Sequence, residues 1–266
     1  MTIRVCLAGI TGWAGSALAS GISQTNDIEV VAGVSRQHAG RPLAEALGLA
    51  HLHGLISASA QEALAAPCDV FVEYTKPEVA KANVLAALSH GAHVVIATSG
   101  LSDVDFDEIN QVALQQNKGV LAVGNFSMAV VLLQKCAELV AKYIPEYEII
   151  DYASAGKKDA PSGTTRELAY RLSQIQPPQV TVPIDQTQGP VESRGTTLNG
   201  VQVHSIRLPG HIISAEVLFG SIDQRLSIRY DAGSSAEAYV EGALLAIRKV
   251  GTFTGLKRGL DSVMNF

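Results

Sequence analysis

Near the amino terminus a short β-branched run, residues 3–8, leads into Gly9-Ile10-Thr11-Gly12-Trp13-Ala14-Gly15, and Ser16-Ala17-Leu18 then opens a helical pattern. Glycines at this spacing between a strand and a helix let the backbone turn tightly and approach a pyrophosphate. The phosphates then rest on the amides and the positive end of the helix. Alone, the pattern marks only a tight strand-to-helix turn; its place in the first βα unit favours nucleotide binding. The N-terminal half continues the alternation. Apolar runs at residues 28–34, 70–73, 93–96 and 120–123 are separated by helix-like segments such as 15–21, 77–90 and 102–116. Alternation of this kind predicts an α/β fold, a doubly wound parallel sheet of the Rossmann type with helices on both faces.

The pattern changes after Asn125. A helix is expected over residues 128–143, a strand over 147–152, and a Gly/Ser/Lys-rich loop that opens a second helix near Gly163. Residues 177–199, rich in Pro, Gln, Thr and Gly, read as an extended connection. Strands are expected at 202–207, 212–219 and 225–230. This half should form a smaller α+β domain with a mixed or mainly antiparallel sheet. The last helix, about residues 236–250, is apolar on more than one side and should pack between other elements.

Bulk properties exclude several classes of function. With 266 residues, 47% hydrophobic and 17% charged, the chain can bury a substantial core, and a net charge of −5 without a basic stripe argues against nucleic acid. A small-molecule partner is the default. No stretch approaches about 18 uninterrupted apolar residues, and the first apolar run is too short for a signal peptide, so no membrane partner is expected. Cys6, Cys68 and Cys136 are odd in number, far apart and each within an apolar run, which fits buried thiols in a reduced, cytoplasmic protein. His51-Leu52-His53 lacks a third ligand, so no metal is expected. His204 and His211 fall on candidate strand segments, where structural or surface roles are the commoner ones.

The second strand ends in Val34-Ser35-Arg36, where a protein selective for NAD usually offers a carboxylate to the ribose hydroxyls. Serine removes that repulsion and Arg36 can pair with a 2′-phosphate, so NADPH is the expected cofactor, with NADH the alternative. A solvated surface arginine is the competing reading of Arg36. Tyr74 and Thr75 follow the third strand of the alternation, and Ala97, Thr98 and Ser99 follow the fourth. They lie at the carboxyl edge, where doubly wound sheets bind ligands, although Thr75 and Ser102 are equally suited to helix capping. In the second half, Lys157-Lys158-Asp159-Ala160-Pro161-Ser162-Gly163-Thr164-Thr165 lies between a strand and a helix. Ser162, Gly163 and Thr164 would present amides and hydroxyls suited to a carboxylate, beside a lysine charge. A capped helix after a turn explains the same residues as well.

The run Lys157-Lys158-Asp159-Ala160-Pro161-Ser162-Gly163-Thr164 resembles the Lys-x-Asp-Ala-Pro-Ser-Gly-Thr signature of dihydrodipicolinate reductases. The glycine loop, Asp69-Val70-Phe71, Tyr74-Thr75-Lys76-Pro77, Ala97-Thr98-Ser99-Gly100, Asn125-Phe126-Ser127, Arg194-Gly195 and Ser205-Ile206-Arg207 are similar to that family in the same order. The resemblance implies an NAD(P)H-binding Rossmann domain, residues 1–125 together with 233–266, and a substrate-binding and oligomerisation domain, residues 126–232. It implies a homotetramer that reduces 4-hydroxy-tetrahydrodipicolinate to tetrahydrodipicolinate in lysine and diaminopimelate biosynthesis. It places Asn125 and Phe126 beside the cofactor, and Ser99, Ser154, Lys157, Ser162, Gly163 and Thr164 at the substrate.

Three departures stand out. The family's histidine pair, the first regarded as proton donor and the second as a substrate contact, is replaced by Ala153-Ser154. A Gly-Glu-His run corresponds to Ser214-Ala215-Glu216, and Trp13 stands where an arginine often helps to bind the 2′-phosphate. Alanine transfers no proton and serine is too weak an acid. Lys157 is therefore the candidate catalytic residue, with water held by Ser154 or Tyr152 as another proton source. A general acid contributes about 10²- to 10⁴-fold, so its loss slows a reaction more readily than it abolishes one. Two alternatives stay open: a related reductase of another imine or unsaturated carboxylic acid, and a non-catalytic NADPH-binding regulatory protein.

Overall fold

The structure is a computed structural model that describes residues 2–266. In chain order, the first half forms β1 (Ile3–Ala8), α1 (Trp13–Ile22), β2 (Ile28–Val34), α2 (Leu43–Leu47), β3 (Ile56–Ser57), α3 (Ala60–Ala63), β4 (Val70–Glu73), α4 (Pro77–Ser89), β5 (His93–Ile96), α5 (Asp103–Gln115) and β6 (Gly119–Ala122). There follow α6 (Met128–Ala141), β7 (Glu146–Ala153), α7 (Gly163–Ile175), β8 (Thr196–Leu198), β9 (Val201–Arg207), β10 (Ile213–Ser221) and β11 (Gln224–Ala232). The chain ends with α8 (Val240–Val250) and β12 (Gly255–Arg258). Two compact units result, one running up to Met128 and resuming at Ala236–Phe266, the other comprising Ala129–Ser235.

The first unit holds a seven-stranded sheet in the order β12-β6-β5-β4-β1-β2-β3. Every neighbouring pair is parallel. Because β1 lies between β2 and β4, the winding reverses at β1, and ligands of such sheets bind outside the carboxyl ends of the strands at that point. Side chains alternate across the strands. Cys6, Ala8, Phe71, Val94 and Ile96 pack with α4 and α5 through Val84, Leu88, Ile109 and Ala113. The intervening residues Val5, Leu7, Val70, Val72 and Val95 are also buried, on the face where α1 and α8 lie together. Apolar burial on both faces explains why these strands read as continuous Val/Ile/Leu runs.

Both edge strands escape the hydrophobic pattern. β3 is two residues long, and β12, Gly-Leu-Lys-Arg, buries little besides its glycine. The last helix begins later than its pattern suggests, with a 3₁₀ turn at Ala236–Tyr239 before α8. It does pack between elements. A Cβ on Gly242 would lie 2.0 Å from the Phe126 carbonyl oxygen, so only glycine lets α8 come this close to the segment after β6.

The second unit holds a mixed five-stranded sheet, β11-β10-β7-β9-β8, in which only the β7–β9 pair is parallel. Leu133, Ala137 and Ala141 of α6 and Leu168, Ala169 and Leu172 of α7 cover one face, against Tyr147, Ile149, Val203, Val217 and Phe219. The connection at residues 177–199 is less extended than its composition suggests: it carries 3₁₀ turns at Ile184–Gln186 and Val191–Arg194, then β8. Cys136 corrects the expectation of three buried thiols. Cys6 is buried and Cys68 half-buried, but Cys136 is exposed, because α6 turns it outward with Leu132 and Leu139 while Leu133 and Ala137 face the sheet. No helix among the described residues is long and apolar enough to cross a membrane.

Candidate functional site

In the first unit the site begins at the glycine loop. Gly9 has φ +80°, and a Cβ there would lie 2.4 Å from the Tyr74 carbonyl oxygen; a Cβ on Gly15 would lie 2.2 Å from the Gly9 carbonyl oxygen. Both positions therefore require glycine. The Gly12 amide donates to the Gly9 carbonyl at 2.9 Å and closes the turn. The next three amides, of Trp13, Ala14 and Gly15, open α1 and have no acceptor among the described residues. No acidic side chain lies in the first turn of α1. Free amides at a positive helix end, unopposed by a carboxylate, fit a pyrophosphate. Trp13 is 61% exposed, with its ring edge-on to Tyr239 at 5.8 Å between centroids.

At the end of β2, Thr11 Oγ1 lies 2.7 Å from Ser35 Oγ. The hydroxyls of two expected cofactor contacts thus meet, tying the glycine loop to β2. Ser35 Oγ is in turn 3.3 Å from His38 Nδ1. Arg36 is exposed and has no hydrogen-bond or ion-pair partner among the described residues, so its guanidinium is available to an anion.

The carboxyl ends of β4 and β5 are organised by Glu73, which is fully buried. Its carboxylate accepts from the Thr75 amide at 2.6 Å, the Thr75 hydroxyl, Asn83 Nδ2 at 2.8 Å and the Thr98 hydroxyl at 3.2 Å. Its carbonyl accepts from the amides of Ala97 and Thr98. The hydroxyls and amides of Thr75 and Thr98 are therefore both committed to Glu73, leaving carbonyl and methyl groups for a ligand. Capping divides the two candidates: Ser102 caps α5 reciprocally with Asp105, whereas Thr75 serves Glu73 and α4 starts from Lys76 without a side-chain cap. Ser99 is exposed. Tyr74 packs on Phe126 at 5.8 Å, and burial raises the Tyr74 phenol above its ordinary pKa. Asn125 Oδ1 accepts from the Ser127 amide at 2.9 Å.

In the second unit the signature loop is anchored by Asp151, also fully buried. Its carboxylate accepts from the Ser162 amide at 3.0 Å, Thr165 Oγ1 at 2.9 Å, Ser205 Oγ at 3.2 Å and Arg207 Nη2 at 2.7 Å. Burial raises the Asp151 pKa, but these donors, Ser162 and Arg207 foremost, outweigh it and hold the carboxyl below its ordinary value. Ser162 caps α7 by accepting from the Thr165 amide. With its amide on Asp151 and its hydroxyl on Thr165, Ser162 is committed to the fold. The anion capacity passes to the amides of Gly163 and Thr164, which have no acceptor among the described residues. Lys157 Nζ pairs with Asp159 Oδ1 at 2.8 Å and holds that carboxyl below its usual range.

Ala153 is fully buried and Ser154 half-buried. The Tyr152 hydroxyl donates to Glu216 at 2.8 Å, and the Arg229 guanidinium lies over its ring, 4.5 Å from the centroid. His204 Nε2 bonds Glu148 at 2.7 Å, and Arg194 pairs with the same carboxylate. His211 stacks on Tyr152 at 5.2 Å. Among the described residues no three His, Cys, Asp or Glu side chains gather as metal ligands. Sequence reading missed the anchoring roles of the buried carboxylates Glu73 and Asp151. The signal for Asp151 was present, since an acidic residue interrupts the inward-facing set Tyr147, Ile149 and Ala153 on β7.

Residues 3–126 match the family described as dihydrodipicolinate reductase, N-terminus, and residues 129–264 the one described as dihydrodipicolinate reductase, C-terminus. The 4-hydroxy-tetrahydrodipicolinate reductase of Moorella thermoacetica is 36% identical over 271 residues, covering 100% of this chain and 99% of the relative. That of Thermosynechococcus vestitus is 35% identical, covering 98% and 97%. A dipicolinate-bound dihydrodipicolinate reductase from Paenisporosarcina sp. TG-14 superposes with TM-score 0.86 at 25% identity, over 99% of this chain and 100% of that one. An amine dehydrogenase from Mycobacterium smegmatis, TM-score 0.68 at 14% identity over 100% of this chain and 97% of that one, shares the fold. Matched through both halves and by relatives along its whole length, the chain belongs to the dihydrodipicolinate reductase family and is a nicotinamide-dependent oxidoreductase.

Proposed function

We infer that the chain reduces 4-hydroxy-tetrahydrodipicolinate to tetrahydrodipicolinate in the lysine and diaminopimelate pathway, preferring NADPH to NADH. The observation that carries this reading is the pair of free amides at Gly163 and Thr164, in a loop where Asp151 takes the Ser162 amide and the Ser162 side chain takes the Thr165 amide. A helix start with two uncommitted amides suits a carboxylate, and Lys157 on the same loop adds a positive charge. Ser99 and Ser154 complete the substrate contacts. Hydride delivery to the substrate ring is the chemistry that a bound nicotinamide supplies. The chain's part is to orient the substrate carboxylates and to deliver a proton, for which Lys157 is the assigned catalytic residue. Phosphates rest on the amides of Trp13, Ala14 and Gly15, and Arg36 answers the 2′-phosphate. Residues 1–125 with 233–266 serve the cofactor, and residues 126–232 serve the substrate and oligomerisation. The uncovered sheet face, with Ile150, Ile206 and Leu218 half-buried or exposed, supports assembly into a homotetramer. The reading is of a cytoplasmic enzyme.

A second reading, reduction of another imine or unsaturated carboxylic acid, is favoured by the replacement of the histidine pair by buried Ala153 and Ser154. One assay separates the two: the dihydrodipicolinate synthase product is supplied with each cofactor, beside a panel of cyclic and acyclic imino acids. Turnover of the pathway substrate with NADPH oxidation, reduced about 100-fold in kcat/KM by Lys157→Ala, is expected. Faster turnover of another imino acid would replace the first reading with the second. Cofactor binding without turnover on any panel member leaves only a regulatory NADPH-binding protein.

A further inference from the structure

The end of β2 holds a side chain that neither the cofactor reading nor the packing accounts for. His38 closes the 3₁₀ turn Arg36–His38 and is half-buried. Its Nδ1 lies 3.3 Å from Ser35 Oγ, and Ser35 Oγ lies 2.7 Å from Thr11 Oγ1 of the glycine loop. The backbone supports the same arrangement: the Ser35 amide donates to the Ser57 carbonyl at 3.0 Å, and the His38 amide to the Ser35 carbonyl at 3.3 Å. Nε2 of His38 has no partner among the described residues. When Ser35 donates to Nδ1, the neutral imidazole carries its proton on Nε2, which makes that atom a hydrogen-bond donor. An anion at Nε2 favours this arrangement of protons.

Resting on the nicotinamide reading of the first unit, we propose that His38 is a specificity-determining contact for the cofactor's 2′-phosphate, oriented by the Thr11–Ser35–His38 hydrogen-bond chain and acting beside Arg36. The adenosine ribose of a dinucleotide lies at the end of the second strand of such a sheet, which is where this chain of bonds ends. A phosphate there offers several strong acceptors and needs more than one donor. Arg36 alone is a long, exposed side chain that loses rotamer freedom on binding, whereas an imidazole already tethered through Nδ1 loses less. Arg41, the next cation along the chain, is already paired with Glu45 at 2.7 Å. The contact distinguishes cofactors because a ribose hydroxyl has neither the charge nor the number of acceptors of a phosphate.

The test is direct binding to the full-length protein by calorimetry, with NADPH, NADH, adenosine 2′,5′-bisphosphate and 5′-AMP as probes, in wild type, His38→Leu, His38→Gln and Ser35→Ala. His38→Leu should weaken NADPH and the bisphosphate by about tenfold, so the NADPH-to-NADH affinity ratio falls by that factor. In turnover the same loss should appear in KM for NADPH rather than in kcat. His38→Gln, which keeps an amide donor of similar reach, should recover most of the ratio. Ser35→Ala should lower it less than His38→Leu, since the ring persists but is untethered. An unchanged ratio in His38→Leu, or equal losses with both cofactors, overturns the role of His38 while leaving the cofactor site intact. Wild-type protein that binds neither dinucleotide overturns the site and this inference together.

Discussion

A carboxylate removed from water is destabilised by several kcal/mol unless donors surround it, and Asp151 is surrounded by Ser162, Thr165, Ser205 and Arg207. Asp151→Ala leaves the largely buried Arg207 without its counter-ion, and a loss of about 3 kcal/mol in urea unfolding is expected. Asp151 also makes stability depend on pH. Its folded pKa lies below the ordinary carboxylate value, so its contribution is complete above about pH 4 and is lost as pH falls through the lower folded value. The slope of stability against pH on the acid side should therefore be shallower in Asp151→Asn than in wild type. At Gly15, alanine drives its methyl into the Gly9 carbonyl, 2.2 Å away. Gly15→Ala should cost about 2 kcal/mol and abolish dinucleotide binding, read by denaturation and calorimetry.

Between residues and the whole chain, the relevant unit is the strand end with its loop. β4 and β5 end in two loops tied together because Thr75, Asn83 and Thr98 all donate to the Glu73 carboxylate. Glu73→Gln turns one acceptor oxygen into a donor facing donors, and a loss of about 1–3 kcal/mol is expected, with weaker NADPH binding as both loops loosen. Glu73→Gln with wild-type stability and affinity would show that the loops hold their shape without this carboxylate. Helix α1 carries its own reporter. Trp13 is the single tryptophan of the chain, stands first in α1 and is exposed, so NADPH binding should change its fluorescence, with a titration midpoint equal to the calorimetric Kd.

At the scale of the molecule, the proposed homotetramer predicts a sedimentation mass four times that of the chain, and substitution of Leu218 or Ile150 by lysine should shift it toward smaller species. The alternation of the first half was legible because strands buried on both faces need predominantly apolar runs, and β1, β2, β4, β5 and β6 supply them, with charged residues confined to Arg4 and Glu29 near the strand starts and Glu73 at a strand end. β3 and β12 were not legible: an edge strand is held by backbone hydrogen bonds to one neighbour, which leave little trace in side-chain type. The glycine loop and the Ser162-Gly163-Thr164 loop were visible as well, since φ > 0, close backbone approach and helix capping each demand particular residues. Side-chain commitment was not. Sequence alone determined that amides, hydroxyls and cations gather at two loops; only the tertiary structure decided which of them are free. Ser162, Thr75 and Thr98 are engaged by Asp151 and Glu73, and Gly163, Thr164 and Arg36 are left for a ligand, because a buried carboxylate takes the nearest donors and its neighbours in space come from distant parts of the chain.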